Sequence, residues 1–306
     1  MDKEIFELQI GGKPFKIKLT DWAPQAGGSC LVSYHDTEVL STAVMSQKSM
    51  DGIDFFPLTV EYEEKFYAAG KIKGSRFLKR ESRPTDEAIL TSRMIDRGIR
   101  PLFPKDFKRE VQVIATCLSW DTENDPDTAA IIAASFALST SNIPWNGPLA
   151  AIRIGRKNGE FIINPTYKER QEGEMDLTLT GLEEDGKILI NMIELGAKEI
   201  GEHDIISAIL FAKPELKKII DFQKEIISKI KKEKFAFEPV VEPNIEDEIK
   251  EILGDRLQNA VTNANPGEKN LSETESLKEE VVRLMKEKYP NEGKERQVLP
   301  FFESEI

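Results

Sequence analysis

The residues best suited to chemistry in this 306-residue chain are gathered in one stretch. Between Lys65 and Glu110 there are thirteen Lys or Arg against six Asp or Glu, a local excess of +7 in a chain of net charge −12. From Lys231 to the last residue the balance reverses, with twelve Lys or Arg against eighteen Asp or Glu. An acidic body carrying one basic stretch points to a local anion-binding surface, because the field near a patch follows the local charge. Inside the stretch, Arg76, Phe77, Lys79 and Arg80 set an aromatic ring among three cations. Base stacking on such a ring is worth roughly 1–3 kcal/mol per base, and the cations contact phosphates without reading sequence. Arg93, Arg97 and Arg100 follow at i, i+4 and i+7, on one helix face and its exit. Two readings are open for these three: contact with a phosphate backbone, or an ion-pair network involving Asp96. The planar fork of Arg suits both.

Other chemistries are excluded more readily. His35 and His203 are the only histidines, and no Gly-rich phosphate loop, GxSxG turn, HExxH or CxxC is present. Cys30 and Cys117 are too far apart for a zinc pattern and suggest a reducing compartment. Hydrophobic residues make up 40% and charged residues 31%, as in a globular protein. No apolar run reaches the roughly 18 residues of a spanning helix, so no membrane role is expected. The start, Met1 to Gly11, alternates charged and apolar residues and does not read as a secretory leader; a cytoplasmic location is expected.

Alternating segments predict strands at Ile5–Ile10, Phe15–Leu19, Ser29–Tyr34, Glu38–Met45, Phe55–Tyr62 and Val111–Trp120. Helices are expected over Thr85–Arg97 and over Asp127–Ser141, the second opened by Asp125-Pro126 as cap and first residue. Two hairpins follow, Ala150–Ile154 with Phe161–Asn164 and Met175–Leu179 with Ile188–Ile193. Helices are then expected at Glu202–Phe211 and Pro214–Lys232, a linker at Lys231–Pro243, and further helices at Ile245–Val261 and Leu271–Tyr289. Ser272 and Glu275 have the spacing of a capping box. The last region has too few apolar residues for a large core and is expected to pack on another surface.

The block from Phe55 to Pro104 closely resembles the first core of the polynucleotide phosphorylases, within the RNase PH family. Tyr34 to Leu40, Ala134 to Leu138, Ile143 to Pro148, Asn164-Pro165-Thr166 and Met175-Asp176-Leu177 resemble family segments in the same order. The resemblance implies an α+β fold. Its RNase PH-like core comprises a ribosomal protein S5 domain 2-like subdomain (1–145) and a second RNase PH subdomain (146–235), followed by an all-helical domain (236–306). It implies that the full-length protein is a 3′-to-5′ exoribonuclease of mRNA degradation. In that reaction inorganic phosphate releases nucleoside diphosphates from single-stranded RNA. A homotrimeric ring and Mg²⁺ held by a second core are also implied.

In the family's active second core, a Ser-rich helix start binds phosphate, two Asp hold the ion, and a Lys lies two residues beyond the second Asp. Those positions fall here at Asp125, Pro126 and Asp127, at Arg170 and Asp176, and at Thr178. Carboxylates at a helix start repel phosphate, and Arg170 cannot ligate a cation. This core is therefore expected to be silent, with no catalytic and no metal-ligating residue assigned. The family's RNA-contacting loop of two aromatics and two arginines corresponds to Phe77-Leu78-Lys79-Arg80, with an extra residue near Arg76. One aromatic is replaced by Leu78 and one arginine by Lys79. The chain stops where a second core would begin, as a fragment or as a truncated product. A stand-alone, non-catalytic RNA-binding or scaffold protein of this fold is the alternative reading. A fold relative acting on something other than RNA is a third.

Overall fold

A computed structural model describes residues 4–50, 53, 55–72, 74, 83–105, 107–230, 232–237, 245–262, 270–290, 295 and 298–305. The chain divides into two compact units, Met1–Pro239 and Val240–Ile306. In the first unit, strands β1 (Ile5–Ile10), β2 (Lys13–Lys18), β3 (Gly28–Tyr34), β4 (Thr37–Ser49) and β5 (Leu58–Glu64) precede helix α1 (Asp86–Ile99). Strand β6 (Arg109–Ser119) and helix α2 (Asp127–Ser139) come next. They are followed by β7 (Leu149–Lys157), β8 (Glu160–Ile163), α3 (Tyr167–Glu172), β9 (Met175–Glu184), β10 (Lys187–Ala197) and α4 (Glu202–Ile230).

Two sheets result. The first has six strands in the order β1-β2-β3-β4-β6-β5, antiparallel except for the parallel pair β5 and β6. The second has four antiparallel strands in the order β10-β9-β7-β8. In β4 and β6 buried residues alternate with less buried ones, the period-2 pattern of a sheet with one covered face. This is the α+β arrangement expected, and β5 and β6 lie side by side in one sheet.

Helix α2 is buried along its entire length. It contacts β3 and β4 of the first sheet and β7 of the second. A helix apolar all round has no solvent face to offer, so it settles between layers. Its small residues Ala129, Ala130, Ala133, Ala134 and Ala137 permit close approach. At Gly28 of β3, a Cβ would lie 2.1 Å from the carbonyl oxygen of Ala137, so only glycine fits there. Polar groups buried with α2 are matched. Ser135 Oγ donates to Gln223 Oε1 of α4 and accepts from the Leu149 N–H of β7, while Gln223 Nε2 donates to the Leu149 carbonyl. Three elements are thereby tied through one buried network.

Some boundaries differ from those predicted. Helix α4 runs unbroken through Pro214, which is exposed, so water can satisfy the carbonyl that the missing N–H leaves free. Strand β5 begins at Leu58 because Phe56 turns inward onto the Phe103 and Phe107 rings, at 4.6 and 5.8 Å between centroids. Pro126, not Asp125, occupies the cap position of α2, and Asp127 is its first residue. Short helix α3, unpredicted, starts at a Thr166–Glu169 capping box. The start of the expected linker is docked rather than loose. The Phe235 N–H donates to the Asn142 carbonyl at 2.7 Å, Arg109 lies 3.9 Å over the Phe235 ring, and Phe237 meets Phe107 edge-on.

The second unit contains, among the described residues, α5 (Ile245–Leu253), α6 (Arg256–Thr262), α7 (Asn270–Lys288) and α8 (Val298–Glu305). The predicted helix 245–261 is split at Gly254, whose φ of +49° ends the first turn set. Ser272 falls inside α7 rather than at its cap. The unit encloses a small core of its own, including Ile249, Leu253, Val281, Met285, Val298 and Phe302. Among the described residues, no helix is long and apolar enough to cross a membrane.

Candidate functional site

The positions singled out at the start of α2 and along α3 and β9 converge, and they do so around a residue not singled out. Arg153 lies in β7, within a run of seven buried residues. Its backbone is fixed by Asn164 just beyond β8, through N–H to Oδ1 at 2.8 Å and Asn164 N–H to the Arg153 carbonyl at 2.7 Å. Its side chain is 8% exposed and reaches three carboxylates. One nitrogen bonds both oxygens of Asp176 on β9, at 2.7 and 2.8 Å. The other bonds Asp127 and lies 3.5 Å from Asp125. Arg170 of α3 closes the outer side, with Nη1 at 2.5 Å from Asp125 Oδ2 and Nε and Nη2 at 2.9 and 2.7 Å from Asp176 Oδ2.

Local structure places each member. The capping box starts α3 so that Arg170 faces back, 5.5 Å over the Tyr167 ring. Tyr167 in turn meets Trp120 edge-on at 5.9 Å. The loop leading to Asp125 is shaped by Asp121, whose Oδ1 accepts from the backbone N–H groups of Glu123 and Asn124. Burial pushes the Asp121 carboxyl up, but these bonds and the Asn124 side chain outweigh it and hold the group below its ordinary value. Thr178, at the position expected for a lysine, is buried and neutral.

Three carboxylates and two guanidiniums leave the cluster one negative charge in excess. Among its acids, the most buried, Asp127, is the one whose ionisation is opposed. Burial, and then Asp125, push its carboxyl up to about 6 against the pull of Arg153. For Arg153 burial acts downward, but Asp127, Asp125 and Asp176 together raise it above its ordinary value. A phosphate brought to this helix start would meet Asp127 already on the first turn and Asp125 beside it, so the dipole's anion position is taken. A divalent cation fares no better. The retained Asp176 is held by both guanidiniums, and the other expected carboxylate is Arg170. The donor set therefore does not fit the implied Mg²⁺, and no group of three His, Cys, Asp or Glu among the described residues forms a metal site.

The other sequence-singled residues fall elsewhere. Arg76, Phe77, Lys79 and Arg80 lie outside the described residues. Arg97 and Arg100 lie on α1 and its exit and are engaged within the fold. Arg97 bonds Glu194 of β10 at 2.5 Å and the Ile193 carbonyl at 3.0 Å. Arg100 grips Asp96 and the carbonyls of Phe56 and Leu58. Arg93 is exposed and makes no ion pair among the described residues, and the same holds for Lys71, Arg83, Lys105 and Lys108. The basic stretch thus separates into cations used for structure and cations left at the surface.

Arg153 was legible in one respect: it is the lone charge in the apolar run from Leu149 to Ile154, and a charge in a covered strand must find partners. Which partners is a matter of tertiary contact. Arg153→Met should leave Asp127 buried and unmatched, destabilising the chain by about 3–5 kcal/mol, with part recovered in Arg153→Met/Asp127→Leu. Urea unfolding of the three chains measures this; a loss under about 1 kcal/mol in Arg153→Met contradicts it.

Comparisons with known proteins identify the family of the fold. Residues 11–144 match domain 1 of the 3′ exoribonuclease family, RNase PH, and residues 147–215 match its domain 2. The polyribonucleotide nucleotidyltransferase of Exiguobacterium sibiricum is 51% identical over 235 residues, 77% of this chain and 31% of that protein. That of Heliobacterium modesticaldum is 42% identical over 306 residues, 99% of this chain and 42% of that protein. The chain thus spans well under half the length of these relatives. Rice Rrp46 shares the fold, with a TM-score of 0.56 at 17% identity, over 72% of this chain and 96% of that one. Two family domains matched end to end, and relatives of one name along nearly the whole chain, establish that this chain belongs to the 3′ exoribonuclease (RNase PH) family.

Proposed function

We propose that the chain is the amino-terminal part of a 3′-to-5′ phosphorolytic exoribonuclease, a polyribonucleotide nucleotidyltransferase. The full-length protein takes single-stranded RNA and inorganic phosphate to nucleoside diphosphates in cytoplasmic mRNA degradation. Residues 1–145 and 146–235 form the two subdomains of a core that gives RNA contact and ring assembly, and 236–306 form an all-helical domain. Mg²⁺ and the chemistry belong to a second core in the full-length protein.

The observation that carries the non-catalytic role is the cluster of Asp125, Asp127, Arg153, Arg170 and Asp176. Phosphoryl transfer needs positioned charge that a substrate can engage, and here every such charge is engaged by another side chain. A homotrimer is supported by apolar side chains left at the surface: Leu189, Ile193 and Leu195 on the edge strand β10, and Ile206, Leu210 and Phe211 on α4. Such surface fits contact with another subunit. RNA contact is assigned to Phe77, Lys79, Arg80 and Arg76, with Arg93 as a surface cation of α1. Arg97 and Arg100 support that surface through their carboxylates.

Incubated with poly(A), phosphate and Mg²⁺, the purified chain should release no ADP above background, whereas the full-length protein should release it readily. ADP release by the chain alone overturns the silent-core reading. Binding of single-stranded RNA by the assembled protein should weaken with salt and be indifferent to sequence. Lys79→Ala/Arg80→Ala should lower the logarithmic salt slope by about 0.7 for each phosphate no longer neutralised. Phe77→Ala should weaken binding with the slope kept. A double variant with unchanged affinity and slope contradicts the assignment.

A further inference from the structure

We propose that Lys234 is a site of covalent modification by acyl phosphates, and that its acylation loosens the strap of residues 232–237 from the first unit. The strap follows α4 and is fastened by a few contacts. Lys232 Nζ donates to the Gly27 carbonyl at 2.5 Å, the Phe235 N–H to the Asn142 carbonyl at 2.7 Å, and Lys234 Nζ to the Leu138 carbonyl of α2 at 2.8 Å.

That last acceptor is crowded. The Leu138 carbonyl also accepts from Ser141 Oγ at 2.7 Å and from the Ser141 N–H at 3.2 Å. A carbonyl oxygen has two lone pairs, so three donors share two places and the grip on Lys234 is loose. No carboxylate compensates the charge. Lys157, Lys224 and Lys229 lie against Glu172, Glu183 and Glu225, whereas Lys234 makes no ion pair among the described residues. The end of α2 faces it with Ser139, Thr140, Ser141 and Asn142, none of them ionisable. On the strap itself stand Lys232, a like charge, and Glu233, which forms no ion pair with it; on β6, Arg109 covers the neighbouring Phe235 ring. The residue as a whole is exposed, so a small reagent reaches it, while its nitrogen is half-buried. Burial, and then Lys232, push this amine down to about 8.

A lysine that sheds its proton near neutral pH is a nucleophile. The lone pair of the neutral Nζ attacks the acyl carbon, and an N–C bond forms as the C–O bond to the phosphate breaks. Phosphate leaves with that electron pair, water takes the proton from nitrogen, and nothing is oxidised or reduced. The leaving group is anionic, which suits the cation of Lys232 beside it. The acylated nitrogen keeps one N–H and no charge. It competes poorly for a carbonyl that Ser141 already fills, so the strap loses an anchor.

The test treats the chain with acetyl phosphate from about pH 6 to about pH 10 and follows the Lys234 peptide by mass spectrometry, in the folded chain and in urea. At neutral pH the neutral fraction of an amine near 8 exceeds that of an ordinary lysine about 300-fold, and its lower basicity gives part of this back. Lys234 should therefore react about tenfold faster in the folded chain, with a rate that levels off above about pH 8 to 9, whereas in urea it climbs to about pH 10. Hydrogen exchange at the Phe235 amide should quicken in the acetylated chain and in Lys234→Gln, which also carries a neutral donor. Equal rates folded and unfolded overturn the proposal, as does a folded-state profile that parallels the one in urea. Unchanged exchange at Phe235 in both modified chains overturns it too, since the strap would then not depend on this anchor.

Discussion

A guanidinium placed in the middle of a covered strand has to be matched by carboxylates, and the match around Arg153 sets the geometry of the first unit. Leaving such a charge unpaired costs about 3–5 kcal/mol, as much as a large packing defect. Its partners come from separate parts of the chain. Asp127 opens the central helix, Asp125 ends the loop before it, and Asp176 sits on the neighbouring strand. The cluster thus fixes where α2 begins relative to the second sheet. The Ser135–Gln223–Leu149 network fixes the same helix midway along, and the Gly28 contact with the Ala137 carbonyl fixes it against the first sheet. A helix with no polar face is held in place by a few buried polar contacts that have no alternative partners.

The same cluster decides what the core can do. A helix start between two sheets is suited to hold an anion, and here two aspartates of the chain are the anions. The residual charge is negative and partly buried, so approach of phosphate is opposed electrostatically. The charges of the cluster are spent on one another. The exposed cations Lys71, Arg83, Arg93, Lys105 and Lys108 lie in the one basic stretch of an acidic chain.

Much of the fold was legible in the sequence because its signals are local. Period-2 runs marked β1 to β4 and β6, and a Pro-Thr-Asp-Glu start marked α1, where Thr85 accepts from the Ala88 N–H at 3.0 Å. The elements misjudged were those decided by contact. Pro214 reads as a breaker, yet it lies on the exposed side of α4, where losing one N–H is tolerated. Phe235 and Phe237 read as linker, yet Arg109 and Phe107 hold them. In the site, the charges at Asp125, Asp127 and Arg170 were singled out by position, whereas Arg153 stood out in the sequence only as a lone charge in an apolar run, with nothing to name its partners. Its importance lies in three acids brought from 23 to 28 positions away, which no local pattern encodes.

The central claim is that the three carboxylates share two guanidiniums in a closed cluster, in which burial and Asp125 oppose the ionisation of Asp127. The most direct test is the titration of the Asp127 side-chain carboxyl by carbon NMR in the folded chain. The expected midpoint is about 6, above the ordinary 3.8. Since the folded form then holds the proton more tightly than the unfolded chain, this group adds stability that is complete below about pH 4 and lost as pH rises through about 6. A midpoint at or below 3.8 would contradict the account, because the guanidiniums would then outweigh both the burial of Asp127 and its repulsion by Asp125.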